Sequence, residues 1–316
     1  MNKKDVVSVC SRSFSRNIIL RNELQRRYAN VKFNDAGLNL SGKELVDFLS
    51  GCTKAITALE VINEDILSQL PDLKVIGKYG VGTDMIDMQA MRRHKKHLGW
   101  EGGVNKRSVS EMVISLAVSM LRHLPQANRE VLAGNWSQKV GSLLSGKTVG
   151  VLGCGHVGKD LIKLLQPWGC NFLAHDILEF QEFYAEHNVT SVKLKLLLEQ
   201  SDIITLHLPL NVSTKNILNV DNLGYLKPTA ILINAARGGL IDELEVKNML
   251  VNGRLAGAAF DVFLIEPPSD KELLNLDNFF ATPHLGGSSE ESIIAMGMAA
   301  IDGLDKYSIP GKSYFE

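Results

Sequence analysis

A glycine-rich turn between an apolar run and a helical stretch restricts the fold of this sequence more than any other feature. Residues 148–152 (TVGVL) predict a buried strand, and Gly153, Gly155 and Gly158 follow it in G-x-G-x-x-G spacing. A helical stretch comes next, and a second strand-like run ends in Asp176. This order of strand, glycine turn, helix, strand and acidic residue predicts a βαβ unit within a parallel sheet.

The same unit predicts a dinucleotide site. Gly153 permits the tight turn, Gly155 lets the backbone approach a pyrophosphate, and Gly158 lets the helix pack against the strand. The helix N-terminus then offers N–H groups to phosphates. Asp176 can accept both ribose hydroxyls but repels a 2′-phosphate, so NAD is favoured over NADP. The alternative is that these glycines serve packing alone.

Strand-like and helical stretches alternate along the remaining sequence. The 316 residues suit two domains. Early strands are predicted at 6–9, 55–59 and 73–77, with a helix at 17–28 and a short one that Asn63 caps, ending at Leu70. Later strands are predicted at 171–176, 203–207, 231–234, 257–261 and 279–282. Repeated βα units indicate parallel sheets flanked by helices.

A strong helix is predicted from Ser108 to Leu124. Ser108 is the expected N-cap, and Glu111 three residues later completes a capping box. Apolar residues recur on one helical face. This face can supply an interface between domains or subunits, or it can belong to an ordinary core.

Composition narrows the function class. The formal net charge of −1 gives no overall field for nucleic acid or an anionic membrane. The four cysteines form no CxxC pair or zinc spacing, so we expect reduced thiols, no metal site and a cytoplasmic protein. The sequence lacks an apolar run long enough to span a bilayer.

Three segments at predicted strand ends carry one Arg, one Glu and one His. They are Arg237, Glu266 and His284. A guanidinium can bind a carboxylate with two parallel hydrogen bonds, and an imidazole can exchange a hydroxyl proton near neutral pH. A carboxylate beside the imidazole fixes its tautomer. Taken singly, each residue could instead be a surface ion-pair partner, a core histidine or a turn-forming glutamate.

Together these motifs resemble the D-isomer-specific 2-hydroxyacid dehydrogenase family, which includes D-3-phosphoglycerate dehydrogenases, hydroxypyruvate reductases and D-lactate dehydrogenases. The resemblance runs from Leu73 to Gly287. Its motifs are Gly80-Val81-Gly82-Thr83-Asp84, the glycine turn, Ala236-Arg237-Gly238-Gly239, Glu266-Pro267 and Pro283-His284-Leu285-Gly286-Gly287. It implies an NAD-dependent oxidoreductase that transfers a hydride between the cofactor and C2 of a small D-2-hydroxy acid or 2-oxo acid. Candidate substrates are 3-phosphoglycerate, glyoxylate and hydroxypyruvate.

The resemblance also implies roles for residues. Arg237 would bind the substrate carboxylate, His284 would be the acid/base with Glu266 as its partner, and the N–H groups of Val81 and Gly82 would hold the carboxylate. Cofactor contacts beyond the three glycines are implied at His156, Val157, Asp176, Leu208, Pro209, Ala235, Ala236, Arg237, Asp261, His284, Gly286 and Gly287.

The implied fold is α/β, with two Rossmann-like or flavodoxin-like domains, each with a parallel sheet, and the active site in the cleft between them. Residues 1–100 with 288–316 would form a discontinuous substrate-binding domain, and 101–287 an NAD-binding domain. A homodimer through the cofactor domain is implied, which would give the helix from Ser108 an interface role.

The sequence departs from the family pattern in three places. His156 stands where Arg is common, so we expect a weaker or pH-dependent pyrophosphate contact. Residues 97–104 (HLGWEGGV) lack the usual apolar strand and proline. Arginines expected around a substrate phosphate are missing from 55–59, although Lys78 precedes the glycine turn at 80–82 and could meet a second acidic group.

Two other functions remain open at this point. A non-catalytic NAD(H)-sensing protein could keep the same three residues. A formate-dehydrogenase-like enzyme is the second, but such enzymes carry Gln near the histidine, where this sequence has Glu266.

Overall fold

The computed structural model describes residues 2–311, which fall into two α/β units. The first unit combines the residues up to Asn105 with those from Glu290 onward. The second unit runs from Lys106 to Ser289. The first unit is therefore discontinuous in sequence and the second is continuous.

The first unit is built on a five-stranded parallel sheet. Its strands are β1 (Asn2–Val9), β2 (Tyr28–Phe33), β3 (Lys54–Thr57), β4 (Val75–Lys78) and β5 (His97–Gly99), in the order β2-β1-β3-β4-β5. Its helices, numbered along the whole chain, are α1 (Arg12–Arg16), α2 (Ile18–Arg27), α3 (Gly42–Leu49), α4 (Glu64–Ser68), α5 (Met88–Arg93) and α14 (Glu290–Gly303).

Helix α14 completes the core of the first unit from the far end of the sequence. Ala300 and Ile301 are fully buried in a cluster with Val7, Val9 and other residues of the N-terminal segment. A Cβ on Gly77 would overlap the carbonyl oxygen of Ala300, so this glycine lets β4 approach α14 closely.

The second unit is built on a seven-stranded parallel sheet. Its strands are β6 (Thr148–Leu152), β7 (Asn171–His175), β8 (Val189–Ser191), β9 (Ile203–Leu206), β10 (Ile231–Asn234), β11 (Gly257–Phe260) and β12 (Phe279–Ala281). The strand order is β12-β11-β10-β9-β6-β7-β8. The order reverses between β6 and β9, and in open parallel sheets ligands bind at the carboxyl ends of strands at such a switch point.

Helices flank this second sheet. They are α6 (Lys106–Leu121), α7 (Leu124–Leu132), α8 (His156–Leu165), α9 (Gln181–Glu186), α10 (Leu194–Gln200), α11 (Val220–Leu223), α12 (Glu243–Val251) and α13 (Lys271–Leu274), with a 3₁₀ turn at Gln166–Trp168. The predicted α/β class with two parallel sheets is confirmed.

The predicted start of the long helix is wrong. Helix α6 begins at Lys106, so Ser108 lies inside it and forms no capping box with Glu111. Its hydroxyl instead donates to the carbonyl of Gly286 at 2.7 Å. The apolar face of α6, including Val113 and Leu116, is buried in the core of its own unit.

Most other predicted elements appear with small changes in their ends. Strands 148–152 and 231–234 have the predicted bounds. The strand predicted at 55–59 ends at Thr57, because the N–H of Ala58 donates to the side chain of Glu60. Asn63 caps α4 as predicted, although that helix ends at Ser68.

The four cysteines are buried free thiols. Burial raises the pKa of Cys154, in the glycine turn, to about 11. Within residues 2–311, we find no helix that combines the length and the apolarity needed to cross a membrane.

Candidate active site and cofactor-binding turn

The glycine turn after β6 has the close packing that its sequence predicts. Gly153 has a φ of +93°, and a Cβ there would lie 2.6 Å from the carbonyl oxygen of His207, directly after β9. A Cβ on Gly158 would overlap the carbonyl oxygen of Gly153. Both positions require glycine, because any side chain would push α8 and β9 away from the turn.

The N-terminus of α8 fits a phosphate group. Its N-cap residue is Gly155, which has no side chain to accept from the first N–H groups of the helix. A Cβ on Gly155 would meet nothing within 4 Å, so open space faces the turn. Free N–H groups and the positive end of the helix dipole suit an anion such as a pyrophosphate. His156 is exposed in the first turn, followed by the half-buried Val157.

Asp176 lies directly after β7 and is bonded to the glycine turn. One carboxylate oxygen accepts from the N–H of Cys154 at 2.6 Å, and the other accepts from the N–H of Leu178 at 2.9 Å. The carboxylate is therefore held beside the turn, where a ribose bound at this switch point would reach it.

The loop after β9 lies beside the same turn. A Cδ atom of Leu208 lies 2.9 Å from the position that a Cβ on Gly153 would take. Pro209 is exposed, and its carbonyl accepts from the hydroxyl of Thr214 at 2.6 Å.

The loop after β10 holds Arg237. Ala235 and Ala236 are buried, and Arg237 is half-buried. The side chain of Asn234 binds both ends of the turn, accepting from the N–H of Ala236 at 3.2 Å and donating to the carbonyl of Arg237 at 2.8 Å. The guanidinium of Arg237 also donates to the carbonyl of Ala236 at 2.6 Å.

The loops after β11 and β12 bring Glu266 and His284 together. Nδ1 of His284 lies 2.9 Å from Oε2 of Glu266. The second oxygen of Glu266 accepts from the N–H of Phe263 at 3.1 Å, so the carboxylate is fixed on both sides. The His284 side chain is about half exposed, so the rest of its ring is accessible from solvent.

Asp261 organises the loop that carries His284. It is 1% exposed, and its carboxylate accepts from the N–H of Leu285 at 2.7 Å, the N–H of Gly286 at 2.8 Å and the hydroxyl of Thr282 at 2.6 Å. His284 itself has a φ of +56°, which is uncommon for a residue with a side chain. Its N–H donates to the carbonyls of Asp261 and Thr282, and these bonds hold that conformation.

The Arg237 loop and the Glu266 loop touch backbone to backbone. A Cβ on Gly238 would overlap the carbonyl of Phe263 and the N–H of Leu264. Glu243, at the start of α12, accepts from the N–H of Leu264 at 2.7 Å, and burial together with nearby Asp242 and Glu266 raises its pKa. The second unit therefore joins the loops of Arg237, Glu266 and His284 at one edge of its sheet.

The remaining predicted site residues belong to the first unit. Lys78, at the end of β4, is buried, and its Nζ donates to the carbonyls of Ala58 at 2.7 Å and Tyr79 at 3.0 Å. Val81 and Gly82 follow in a half-exposed turn that begins at Gly80, whose φ is +109°.

Three residues shape these loops in ways that the sequence did not predict. They are Asn234, Ser108 and Gly238. Asn234 was visible as the last residue of a strand before the arginine loop, and an Asn there commonly bonds to nearby backbone. Ser108 contacts Gly286, and Gly238 contacts Phe263. Both partners are distant in sequence, so no local sequence pattern indicates these contacts.

Residues 114–286 match the NAD-binding domain of the D-isomer specific 2-hydroxyacid dehydrogenases. The chain belongs to this family. The match makes the middle of the chain an NAD-binding domain, as the glycine turn and Asp176 predict.

Individual 2-hydroxyacid dehydrogenases agree with this assignment. The chain is 37% identical to a D-3-phosphoglycerate dehydrogenase of Bacillus subtilis over 73% of its own length and 44% of that protein. It is 34% identical to a hydroxypyruvate reductase of Thermotoga maritima, over 78% of this chain and 81% of that one. A crystal structure of a putative D-isomer specific 2-hydroxyacid dehydrogenase from Polaromonas has a TM-score of 0.87 and 26% identity, with 95% of both chains covered.

The chain spans about half the length of the curated D-3-phosphoglycerate dehydrogenases that it matches, with 44% to 47% of three of them covered. The similarity to the Polaromonas structure, in contrast, extends over nearly the whole of both chains.

Proposed function

We propose that this protein is an NAD-dependent D-2-hydroxyacid dehydrogenase, which transfers a hydride between NAD(H) and C2 of a small 2-hydroxy or 2-oxo acid. The observation that carries the proposal is the 2.9 Å contact between His284 and Glu266, on loops that adjoin the NAD-binding sheet. A fixed histidine–carboxylate pair is what proton exchange with a C2 hydroxyl requires.

His284 is the proposed acid/base. A carboxylate only accepts hydrogen bonds, so Nδ1 of His284 carries the proton toward Glu266 and Nε2 is left to exchange a proton with substrate. In the oxidation direction Nε2 takes the hydroxyl proton, and in the reduction direction it returns that proton to the C2 oxygen. Glu266 stabilises the positive charge that the ring gains in between.

Arg237 is the proposed substrate anchor. Its guanidinium can donate two parallel hydrogen bonds to a carboxylate, which a lysine cannot do. Asn234 supports this role because it holds the turn that presents Arg237. We also assign the N–H groups of Val81 and Gly82 to the substrate carboxylate.

The cofactor would be held by the glycine turn and the loops beside it. Gly153, Gly155, His156, Val157 and Gly158 would contact the pyrophosphate, and Asp176 the adenosine ribose. Leu208, Pro209, Ala235, Ala236, Asp261, Gly286 and Gly287 are the proposed remaining contacts, with Arg237 and His284 adjoining the nicotinamide. When bound, NAD supplies the hydride acceptor. Asp176 would disfavour NADP because its charge repels a 2′-phosphate.

The domain roles follow from these assignments. The unit formed by the two ends of the chain would bind substrate, and the continuous unit would bind the cofactor. Lys78 brings a buried positive charge to the turn of Val81 and Gly82, which favours a substrate with a second polar or acidic group. Candidate substrates are hydroxypyruvate, glyoxylate and 3-phosphoglycerate. Two relatives are named for hydroxypyruvate and 3-phosphoglycerate, and one structural neighbour is named for glyoxylate.

A homodimer through the second unit is the proposed assembly. Apolar side chains of α7 and the segment after it are highly exposed, among them Leu132 (79%), Trp136 (86%) and Val140 (95%). A patch of this kind is typical of a subunit contact, whereas the apolar face of α6 packs inside its own unit. A cytoplasmic location is proposed from the reduced cysteines.

The test is a kinetic assay with purified protein, NADH and a panel of 2-oxo acids, followed by absorbance at the NADH band. We expect turnover of at least one acid with NADH and much less with NADPH. An Arg237→Ala variant should lose at least about a hundredfold in kcat/KM, since a charge-assisted bidentate contact is lost. Arg254→Ala, an exposed arginine paired with Glu245, is the matched control and should keep wild-type rates.

Two outcomes contradict the proposal. Full turnover by Arg237→Ala would remove the substrate anchor. Tight NADH binding without turnover of any acid would instead favour an NAD(H)-sensing protein.

A further inference from the structure

Trp100 lies in segment 97–104, whose first three residues form β5 although the segment lacks the apolar run and proline expected from the resemblance. It follows β5 directly, and its indole Nε1 donates to the carbonyl of Val81 at 2.9 Å. Both residues belong to the first unit. The bond therefore joins the unusual segment 97–104 to the turn whose N–H groups we assign to the substrate carboxylate.

Side chains hold the carbonyl groups of this turn. The N–H of Tyr79 still continues the sheet by donating to Thr57 at 2.8 Å, and regular backbone bonding resumes where Ile86 donates to Thr83. Between these points, Lys78 Nζ binds the carbonyl of Tyr79 and Trp100 binds the carbonyl of Val81. The direction of the Val81 carbonyl thus depends on a side chain nineteen residues further along the sequence, roughly one βα unit.

The carbonyl of Val81 and the N–H of Gly82 share one peptide plane. In a trans peptide these two groups point in opposite directions. A hydrogen bond that holds the Val81 carbonyl toward Trp100 therefore turns the Gly82 N–H to the opposite side of the turn. Rotation of this plane is otherwise easy beside glycine, because Gly82 lacks a Cβ that would restrict it.

We propose that Trp100 is a positioning residue for substrate binding, which acts by fixing the Val81–Gly82 peptide so that the Gly82 N–H faces the substrate carboxylate. This inference rests on the proposed dehydrogenase function. It assigns to segment 97–104 a task in carboxylate recognition, and it names the indole N–H as the group that performs it.

The test compares Trp100→Phe, which keeps an aromatic ring but loses the donor, with wild type and with Trp168→Phe. Trp168 lies partly exposed in the 3₁₀ turn of the second unit and is the matched control. The measurements are KM and kcat for the best 2-oxo acid, the inhibition constant of oxalate, and the Kd of NADH from its own fluorescence. Oxalate is chosen because it is a dicarboxylate that cannot react. For Trp100→Phe we expect KM and the oxalate constant to rise together by about three- to tenfold, with kcat and the NADH Kd near wild type.

Unchanged KM and oxalate inhibition in a folded Trp100→Phe protein would overturn the inference. An equal rise in the NADH Kd would also overturn the inference, because the substitution would then have disturbed cofactor binding as well as substrate binding. If Trp100→Phe does not fold, Trp100→His supplies a second ring with an N–H donor, and its KM must lie closer to wild type than that of Trp100→Leu. Wild-type protein that turns over no acid would refute the dehydrogenase function first, and the role of Trp100 with it.

Discussion

Glu266 holds His284 from one side only: its Oε2 lies 2.9 Å from Nδ1 of the ring, while its Oε1 accepts from the N–H of Phe263 at 3.1 Å. The carboxylate is thus fixed by its own loop before it meets the histidine. Because this backbone bond does not involve His284, the orientation of the ring depends on a carboxylate that is already in place.

Replacement of Glu266 by Gln should reduce turnover without loss of fold. The amide can still accept from a ring N–H, but it cannot stabilise a positive charge on the ring, so we expect kcat to fall about ten- to a hundredfold. Steady-state kinetics and the NADH Kd give the measurement. Glu272→Gln, an exposed carboxylate of α13 that pairs with Lys247, is the control and should be unaffected. Equal rates in Glu266→Gln and wild type would show that the pair is dispensable.

Asp261→Asn should loosen the loop that carries His284. The buried carboxylate accepts from two N–H groups and a hydroxyl. An asparagine has only one side-chain oxygen, so its NH2 group would face at least one of these three donors. We expect the free energy of unfolding to fall by about 1–3 kcal/mol and NADH to bind more weakly. Denaturant unfolding and NADH titration test this, with the exposed Asp277→Asn as control. Unchanged stability would mean that the loop does not depend on these bonds.

Gly238→Ala should separate the Arg237 and Glu266 loops. The new Cβ would overlap the backbone of Phe263 and Leu264, so one loop must move. The expected cost is about 1–3 kcal/mol of unfolding free energy, with a loss of turnover at least as large as that of Glu266→Gln. Gly224→Ala is the matched control, since a Cβ there meets nothing within 4 Å and its φ is −64°. Wild-type turnover in Gly238→Ala would show that the contact between these loops is not needed.

The free energy of unfolding should fall in mild acid because of His207. This histidine directly follows β9, its Nε2 lies 3.1 Å from the hydroxyl of Thr205, and burial lowers its pKa from 6.5 to about 3. Between these two pH values His207 is protonated in the unfolded chain but not in the folded chain. Its contribution to the free energy of unfolding is therefore fully present above pH 6.5 and is lost as the pH falls toward 3.

His207→Gln should flatten this dependence. We expect the loss of unfolding free energy between neutral pH and about pH 4.5 to be smaller than in wild type by roughly 1–2 kcal/mol. Urea unfolding across this pH range is the measurement. His123→Asn, at an exposed left-handed position where Asn is well accepted, is the control. Parallel pH curves for His207→Gln and wild type would contradict the prediction.

The sequence predicted local features well because their causes are local. The strand before Gly153, the cap at Asn63 and the parallel class of both sheets follow from hydrophobic spacing and turn residues. Residue order also predicted that Arg237, Glu266 and His284 lie on loops at strand ends, since each follows a strand-like run.

Features that depend on distant contacts were not predictable. Helix α6 begins at Lys106 and is not capped by Ser108. The Ser108 hydroxyl instead donates to the carbonyl of Gly286, which is far along the sequence. The exposed apolar patch near Trp136 was not anticipated either, because a helical pattern alone does not tell which apolar face the core will cover. The bond from Trp100 to Val81 joins two loops that no local pattern connects.

The contribution of α14 to the first unit has a consequence for synthesis on the ribosome. Ala300 and Ile301 fill a core that also contains Val7, Val9 and Phe14, and Lys54 Nζ donates to the carbonyl of Leu304 at 2.8 Å. Strands β1 and β3 therefore keep part of their apolar face uncovered until α14 has been synthesised. The continuous second unit can fold before α14 is made, so the first unit is completed after the second, although most of the first unit precedes the second in the sequence.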